Sequence, residues 1–304
     1  MPPPPISKEE TKEKKMLIRT LPLHNPLIIP TEPLTPNSFR PFGSVLTNPA
    51  PGLHPSTAAA ATSSSSSSSS SALPQGFGAV SANQGTAIQY RALAPPLRDL
   101  YAQAPSGRTA TPRTTMFVCG ARELEPDREG DSGGLFNVQV LERHPYTTQT
   151  FVPLSTSSSP SLGSSSPVQY LVIVAPTLSP TSADKDFPVP KDGAGDEDDD
   201  DDKDAGASQK LPGPGMPDLS RIRAFLATGS QAVTYGAGTW HAPMAALGPP
   251  GSAIDFVVVQ FANDEPIEDC QEVALEGGGG GGEGGPRIKV RVLGQGRGEV
   301  GSKL

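Results

Sequence analysis

The apolar residues of this chain come in short, strand-like runs separated by turn signals and polar filler. That spacing constrains the fold more than any other feature. Thr115–Cys119, Phe136–Glu142, Thr150–Leu154, Tyr170–Ala175, Gln231–Tyr235, Ala253–Phe261 and Ile288–Val292 all read this way. Phe136–Glu142 and Ile288–Val292 alternate apolar and polar residues, the pattern of a half-buried strand. Tyr170–Ala175 is apolar throughout and reads as a central strand. Helix is scarce. Thr35–Phe39 is a polar helix start anchored by Phe39. The segment Asp218–Leu226 is expected to be helical, with Asp218 as cap and Leu219, Ile222, Phe225 and Leu226 on one face. Many short strands with one or two short helices predict a mainly all-β fold, a barrel or sandwich.

Filler separates the strands. Nine consecutive serines run from Ser63 to Ser71, and seven consecutive acidic residues from Asp196 to Asp202. Segments of this kind have no apolar face to bury and are expected to be disordered. They sit at loop positions, where closure entropy grows slowly with length. The reading is a disordered arm at 1–16, one domain at 17–275 with insertions at about 48–76, 155–167 and 179–214, and a Gly-rich tail at 276–304 carrying one strand. About 200 residues remain once the filler is removed, the size of one domain. The net charge of −8 comes mostly from the acidic run, and no basic stripe interleaved with aromatics occurs, which argues against nucleic acid as a partner. No apolar run reaches the length of a membrane span. Cys119 and Cys270 form no CxxC and no disulfide framework, which suits a reducing compartment. The chain ends in Ser302-Lys303-Leu304, the tripeptide read by the peroxisomal import receptor, so a peroxisomal location is expected.

Two blocks carry the chemistry. Glu142-Arg143-His144-Pro145 runs on to Thr148-Gln149-Thr150-Phe151, and Trp240-His241-Ala242-Pro243 follows a glycine-spaced turn; together they hold two of the four histidines and the only tryptophan. Histidine titrates closest to neutrality, which suits acid–base work. A residue before proline is pushed out of helix, so His144 is expected in a turn at one end of the barrel, with Gln149 and Phe151 on one face of the next strand. Each block alone is as readily a packed loop as a site. Tyr90, Arg91 and Arg122 are candidates for holding an anionic substrate, because arginine grips a carboxylate with two bonds. Asn83, Thr148 and Trp240 complete the candidate binding residues. No phosphate loop and no Gly-x-Ser-x-Gly elbow occurs. No cofactor and no metal is expected: His24 and His54 lie away from the two blocks, which leaves only His144, His241 and a carboxylate such as Glu142 as a ligand set.

These blocks, with Phe39-Arg40-Pro41-Phe42-Gly43, Asn83-Gln84-Gly85, Pro217-Asp218-Leu219 and Arg223-Ala224-Phe225, resemble the ureidoglycolate lyase family of allantoin breakdown, in a fungal form with long insertions. The resemblance spans about residues 28 to 275. It implies a cupin-like β-barrel or jelly roll, a homodimer, and cleavage of (S)-ureidoglycolate to glyoxylate and urea. His144 and His241 would divide the acid and base roles, Gln149 would orient the ureido group, and Arg91 or Arg122 would hold the carboxylate. One departure is visible. The family often has a second histidine after the Trp-His pair, and Ala242 stands there. Two other readings remain: a metal-dependent barrel acting on another small acid, and a barrel that binds a small molecule without turning it over.

Overall fold

The computed structural model describes residues 16–58, 73–74, 76–128, 133–154, 168–191, 210–277 and 287–293. The serine run, the acidic run, most of the glycine run and the C-terminal tripeptide lie outside them. In chain order the strands are β1 Leu17–Leu23, β2 Leu27–Pro33, β3 Gly43–Leu46, β4 Ala79–Ala82, β5 Ala87–Tyr90, β6 Thr111–Gly120, β7 Glu125–Pro126, β8 Gly134–Val138 and β9 Val140–Arg143. There follow β10 Gln149–Pro153, β11 Gln169–Ala175, β12 Arg223–Thr228, β13 Ala232–Tyr235, β14 Trp240–His241, β15 Ala245–Leu247, β16 Ala253–Ala262, β17 Gln271–Gly277 and β18 Ile288–Val292. Among the described residues three short α-helical segments interrupt them: α1 Pro36–Phe39, α2 Pro266–Asp269, and a turn at 55–58.

A large sheet runs in the order β1-β17-β9-β14-β11-β12-β2-β18-β8-β7 and curls into a half-barrel, with β15 also paired to β11. A second sheet, β3-β13-β10-β16-β6, lies against its middle, and β4-β5 forms a separate hairpin. Alternation along β11 explains the layering. Leu171 and Ile173 face a core enclosed by the curl of the large sheet, with Leu141, Trp240, Val273, Ile288 and Val290. Tyr170, Val172 and Val174 face the opposite way, into the core shared with the small sheet, beside Phe39, Phe151, Phe225, Tyr235 and Phe256. Covered on both faces, β11 needs apolar residues at every position, as its sequence has. The fold is thus mainly β, as the strand pattern predicts, and its half-barrel is consistent with the cupin-like barrel that the resemblance implies.

Three local outcomes differ from the sequence reading. Asp218–Leu226 is not a helix. Asp218 does cap a 3₁₀ turn, Leu219–Arg221, accepting from the Ser220 N–H at 3.1 Å, but the chain then enters β12. There it pairs antiparallel with β11 and parallel with β2. Phe225 and Ala227 face one core and Ala224 the other, so the spacing that mimics a helical face is a strand buried on both sides. Phe136–Glu142 is not one strand either. It breaks at Gln139: β8 pairs with β18, while β9 pairs with β17 and β14. The inward parity shifts there from Phe136 and Val138 to Leu141 and Arg143, turning a corner of the curled sheet. Finally, Ile288–Val292 is no appendage. It lies between β2 and β8 with Ile288, Val290 and Val292 buried.

Within the span read as an insertion, Asp184 is buried and ion-paired with Arg19 at 2.6 Å, and Phe187 packs on the first core. The α1 turn is set by reciprocal bonds between Thr35 and Ser38, which seat Phe39 fully buried, edge-on to Phe225 with centroids 5.7 Å apart.

Phe225 tests the assignment of β12 as a central strand. Phe225→Ala is expected to cost about 3–5 kcal/mol, the usual loss for emptying a fully buried aromatic site. Urea denaturation measures it, and a loss below about 1 kcal/mol would contradict the packing.

Candidate active site

The two histidine blocks meet at one end of the barrel. His144 follows β9 in the turn before β10, and His241 ends the short strand β14. A backbone bond joins the two turns: the Gly238 N–H donates to the His144 carbonyl at 2.8 Å. Gly238 has φ +76°, and a Cβ there would stand 2.9 Å from Pro212, so glycine is required on both counts. The imidazole centroids lie 5.5 Å apart.

Each ring is fixed by a backbone carbonyl. His144 Nδ1 lies 2.7 Å from Asp269 O, and His241 Nδ1 lies 2.9 Å from Thr239 O. A carbonyl only accepts, so both Nδ1 atoms carry the proton and both Nε2 atoms present a lone pair. Both Nε2 atoms are buried and have no hydrogen-bond partner among the described residues, as are Gln149 Oε1 and the Tyr235 hydroxyl. The Tyr235 ring stacks on His241 at 3.9 Å and 14°. Burial holds both histidines below their ordinary pKa; His241, further lowered by His144, falls to about 3. Both rings are therefore neutral at pH 7.

Glu142 completes the group. It pairs across strands with His241 on one side and Glu272 on the other. Its Oε1 lies 3.6 Å from His241 Nε2, and Cys270 Sγ lies 3.9 Å from its Oε2. Burial, and then the like charge of Glu272, push its carboxyl up to about 7. With His241 neutral, Glu142 and His241 are close neighbours at 3.6 Å without an ion pair or a hydrogen bond between them. The ligand atoms of Glu142, His144 and His241 all lie within 4.8 Å of one another. Two Nε2 lone pairs whose Nδ1–H groups are anchored on carbonyls, together with a carboxylate, are a donor set that fits a divalent cation.

The other candidates separate into three groups. Gln149 joins the histidines: its amide donates to Gln260 Oε1 at 2.6 Å. Thr148 is buried and accepts the Arg98 N–H at 3.0 Å. Trp240 points away from His241 into the first core, where Arg143 lies 4.4 Å over its ring and its indole N–H donates to Gly215 O. Arg143 is itself fully buried and donates to the carbonyls of Gly213, Pro214 and Gly215, so the pair packs a loop rather than facing a ligand. Asn83, Tyr90 and Arg91 sit on the β4-β5 hairpin; Asn83 and Arg91 are exposed, and the Arg91 side chain donates within the hairpin, to Gln89. Arg122 lies over the Phe136 ring at 5.3 Å, against the first core. Sequence reasoning missed Tyr235, Gln260 and Asp269 as parts of the site. No local motif marks them, because they reach the histidines only through strand register and the turn around α2.

A family model described as ureidoglycolate lyase matches residues 26–279. The chain belongs to the ureidoglycolate lyase family. It is 30% identical over 197 residues to the ureidoglycolate lyase of Schizosaccharomyces pombe, covering 65% of this chain and 78% of that one. It is 31% identical to that of Saccharomyces cerevisiae over 63% of this chain and 75% of the relative. The Burkholderia mallei protein of the same name is 28% identical over 77% of this chain and 82% of its own. The matched span includes both histidine blocks and leaves out the C-terminal tripeptide.

The raised carboxyl of Glu142 has a stability signature. Between about pH 4.5 and 7 the unfolded chain releases this proton while the folded chain keeps it, so Glu142 costs folding stability as pH rises through that window. In chelator-treated protein, Glu142→Gln is expected to be more stable than the parent at pH 8 and close to it at pH 4.5, read by urea denaturation. An equal difference at both pH values would place the carboxyl at its ordinary pKa.

Proposed function

We propose that this chain is a ureidoglycolate lyase that splits (S)-ureidoglycolate into glyoxylate and urea by acid–base elimination. The observation that carries the reading is the meeting of two bare Nε2 atoms with a carboxyl of pKa about 7. The substrate bears a hydroxyl and a urea nitrogen on one carbon. The hydroxyl proton must leave as the carbonyl forms, and the departing nitrogen must gain a proton.

A division of these roles between the histidines alone does not fit their tautomers, since neither Nε2 brings a proton. In the proposed sequence His144 Nε2 takes the hydroxyl proton. The C–N bond breaks, and the proton of the Glu142 carboxyl, beside His241, goes to the urea nitrogen. His144 then carries the gained proton and Glu142 is ionised; proton return from His144 to Glu142 restores the start. Gln149, with its Oε1 free, is placed to accept from the ureido N–H groups.

A second reading has its own support. Glu142, His144 and His241 would hold a divalent cation well, and such an ion would supply Lewis-acid polarisation of the substrate oxygens. Activity lost to chelators and restored by added metal would favour it. A homodimer is part of the proposal: β6 is the free edge of the small sheet, with Met116, Phe117 and Val118 exposed, and such edges pair or are covered. The peroxisomal address rests on Ser302-Lys303-Leu304 alone.

The decisive experiment is product balance on racemic ureidoglycolate against a no-protein control. Glyoxylate with equal urea and no ammonia is expected; ammonia in place of urea would make the reaction a hydrolysis. His241→Ala and Glu142→Gln are each expected to lower kcat at least tenfold, within the ~10²–10⁴ typical of positioned proton transfer. The parent kcat should fall as pH rises through about 7, where Glu142 loses its proton. If Glu142→Gln keeps that limb, Glu142 is not the acid.

A further inference from the structure

The substrate's carboxylate needs a cation, and the arginines suggested by the sequence are elsewhere: Arg91 on an exposed hairpin, Arg122 over Phe136. Arg143 is committed to three carbonyls and Gln271, and Arg223 to Glu32. We propose that Arg113, on β6, binds that carboxylate, and that Asp264 positions it. The inference rests on the lyase reading above and names the residue that reading lacks.

Two independent connections lead from the histidines to Arg113. The first is a row across the inner face of the small sheet. Tyr235, stacked on His241, stands opposite Gln149 on β10. Gln149 donates to Gln260 on β16, and Gln260 stands opposite Arg113 on β6. Side chains alternate, so Arg113 shares a face with Phe117. Phe117 lies 5.9 Å from the ring of Phe151, which in turn lies 6.1 Å from that of Tyr235, so this face turns toward the second core at the open edge of the sheet, where Phe117 stays 48% exposed. Two strand spacings, about 10 Å, separate the backbones of Gln149 and Arg113. Gln260 stands between them, so a ligand that reaches both Gln149 and Arg113 lies across it.

The second connection is the turn around α2. Arg113 Nη2 pairs with Asp264 Oδ2 at 2.5 Å, and the Asp264 N–H donates to Asp269 Oδ2 at 2.9 Å. Asp269 is the residue whose carbonyl fixes His144. Asp264 sits at φ +63°, a backbone conformation that Asp adopts more readily than most residues, and its side chain is 61% exposed. The Arg113 side chain is 38% exposed, and among the described residues it is Nη2 that bonds a protein group, Asp264. With Nη2 held by Asp264, the Nη1 and Nε groups remain as donors, and the second Nη2 hydrogen can join either of them to hold a carboxylate.

The test compares parent protein, Arg113→Met, Arg113→Lys and Asp264→Asn on ureidoglycolate and on its neutral primary amide, with spontaneous decay subtracted. Losing a charge-assisted bond is worth on the order of 10- to 100-fold in binding. Arg113→Met is expected to raise KM for ureidoglycolate at least tenfold, with kcat within about threefold, and to abolish discrimination against the amide. Arg113→Lys should recover part of the affinity, because it restores the charge without the fork. Asp264→Asn should raise KM by a smaller factor, and it reads the same contact if Arg113→Met fails to fold. A parent that turns over ureidoglycolate while KM and discrimination are unchanged in every variant overturns the Arg113 assignment alone. A parent with no turnover sinks the lyase reading and the assignment with it.

Discussion

Two backbone carbonyls, Asp269 O and Thr239 O, hold the chemistry of this barrel in place. Each takes the Nδ1 proton of one histidine and so turns a bare Nε2 toward the same buried space. Remove either bond and the ring is free to flip, exchanging donor for acceptor at the reacting side. The rest of the structure serves to place those two carbonyls. Thr239 lies in the turn that follows β13, where its hydroxyl donates to Phe42 O and where the Gly238 N–H reaches back to His144. Asp269 ends α2, and its carboxylate gathers the N–H groups of Asn263 and Asp264 and the hydroxyl of Tyr101.

The same burial that fixes the rings sets their charge. A low-dielectric end of the barrel disfavours imidazolium and carboxylate alike, so the histidines stay neutral and Glu142 keeps its proton to near neutrality. Glu272 adds to this only because β17 pairs with β9 in a register that puts the two glutamates opposite each other. A one-residue slip would turn Glu142 to the other face and break the group. Strand register, rather than any loop, is therefore what gives this site its proton inventory.

Much was legible in the chain. The strand runs of β10, β11, β13, β16 and β18 fall within a residue or so of their sequence-read positions, because alternation and apolar runs report burial directly. The Thr35–Phe39 turn was legible because its capping atoms are local. His144, His241 and Gln149 stood out through their motifs, and all three come together. Asp218–Leu226 misled because two adjacent apolar residues, Phe225 and Leu226, satisfy a helical face and also a strand covered on both sides. Trp240 stood beside a candidate histidine in sequence, yet alternation sends it into the opposite core. Asn83, Tyr90 and Arg91 share a motif-rich hairpin, but nothing in the chain order says where that hairpin sits.

By itself the sequence determined the class of fold, the family, and the two histidine blocks, since each depends on residues close together along the chain. Tertiary structure alone decided which groups share the site. Glu142 meets His241, Tyr235 stacks on it, and Gln260 and Arg113 extend the row, through pairings between strands far apart in sequence. It also decided protonation, because the cost of charge depends on what surrounds a group once the barrel has closed, and no residue carries that information in its own side chain.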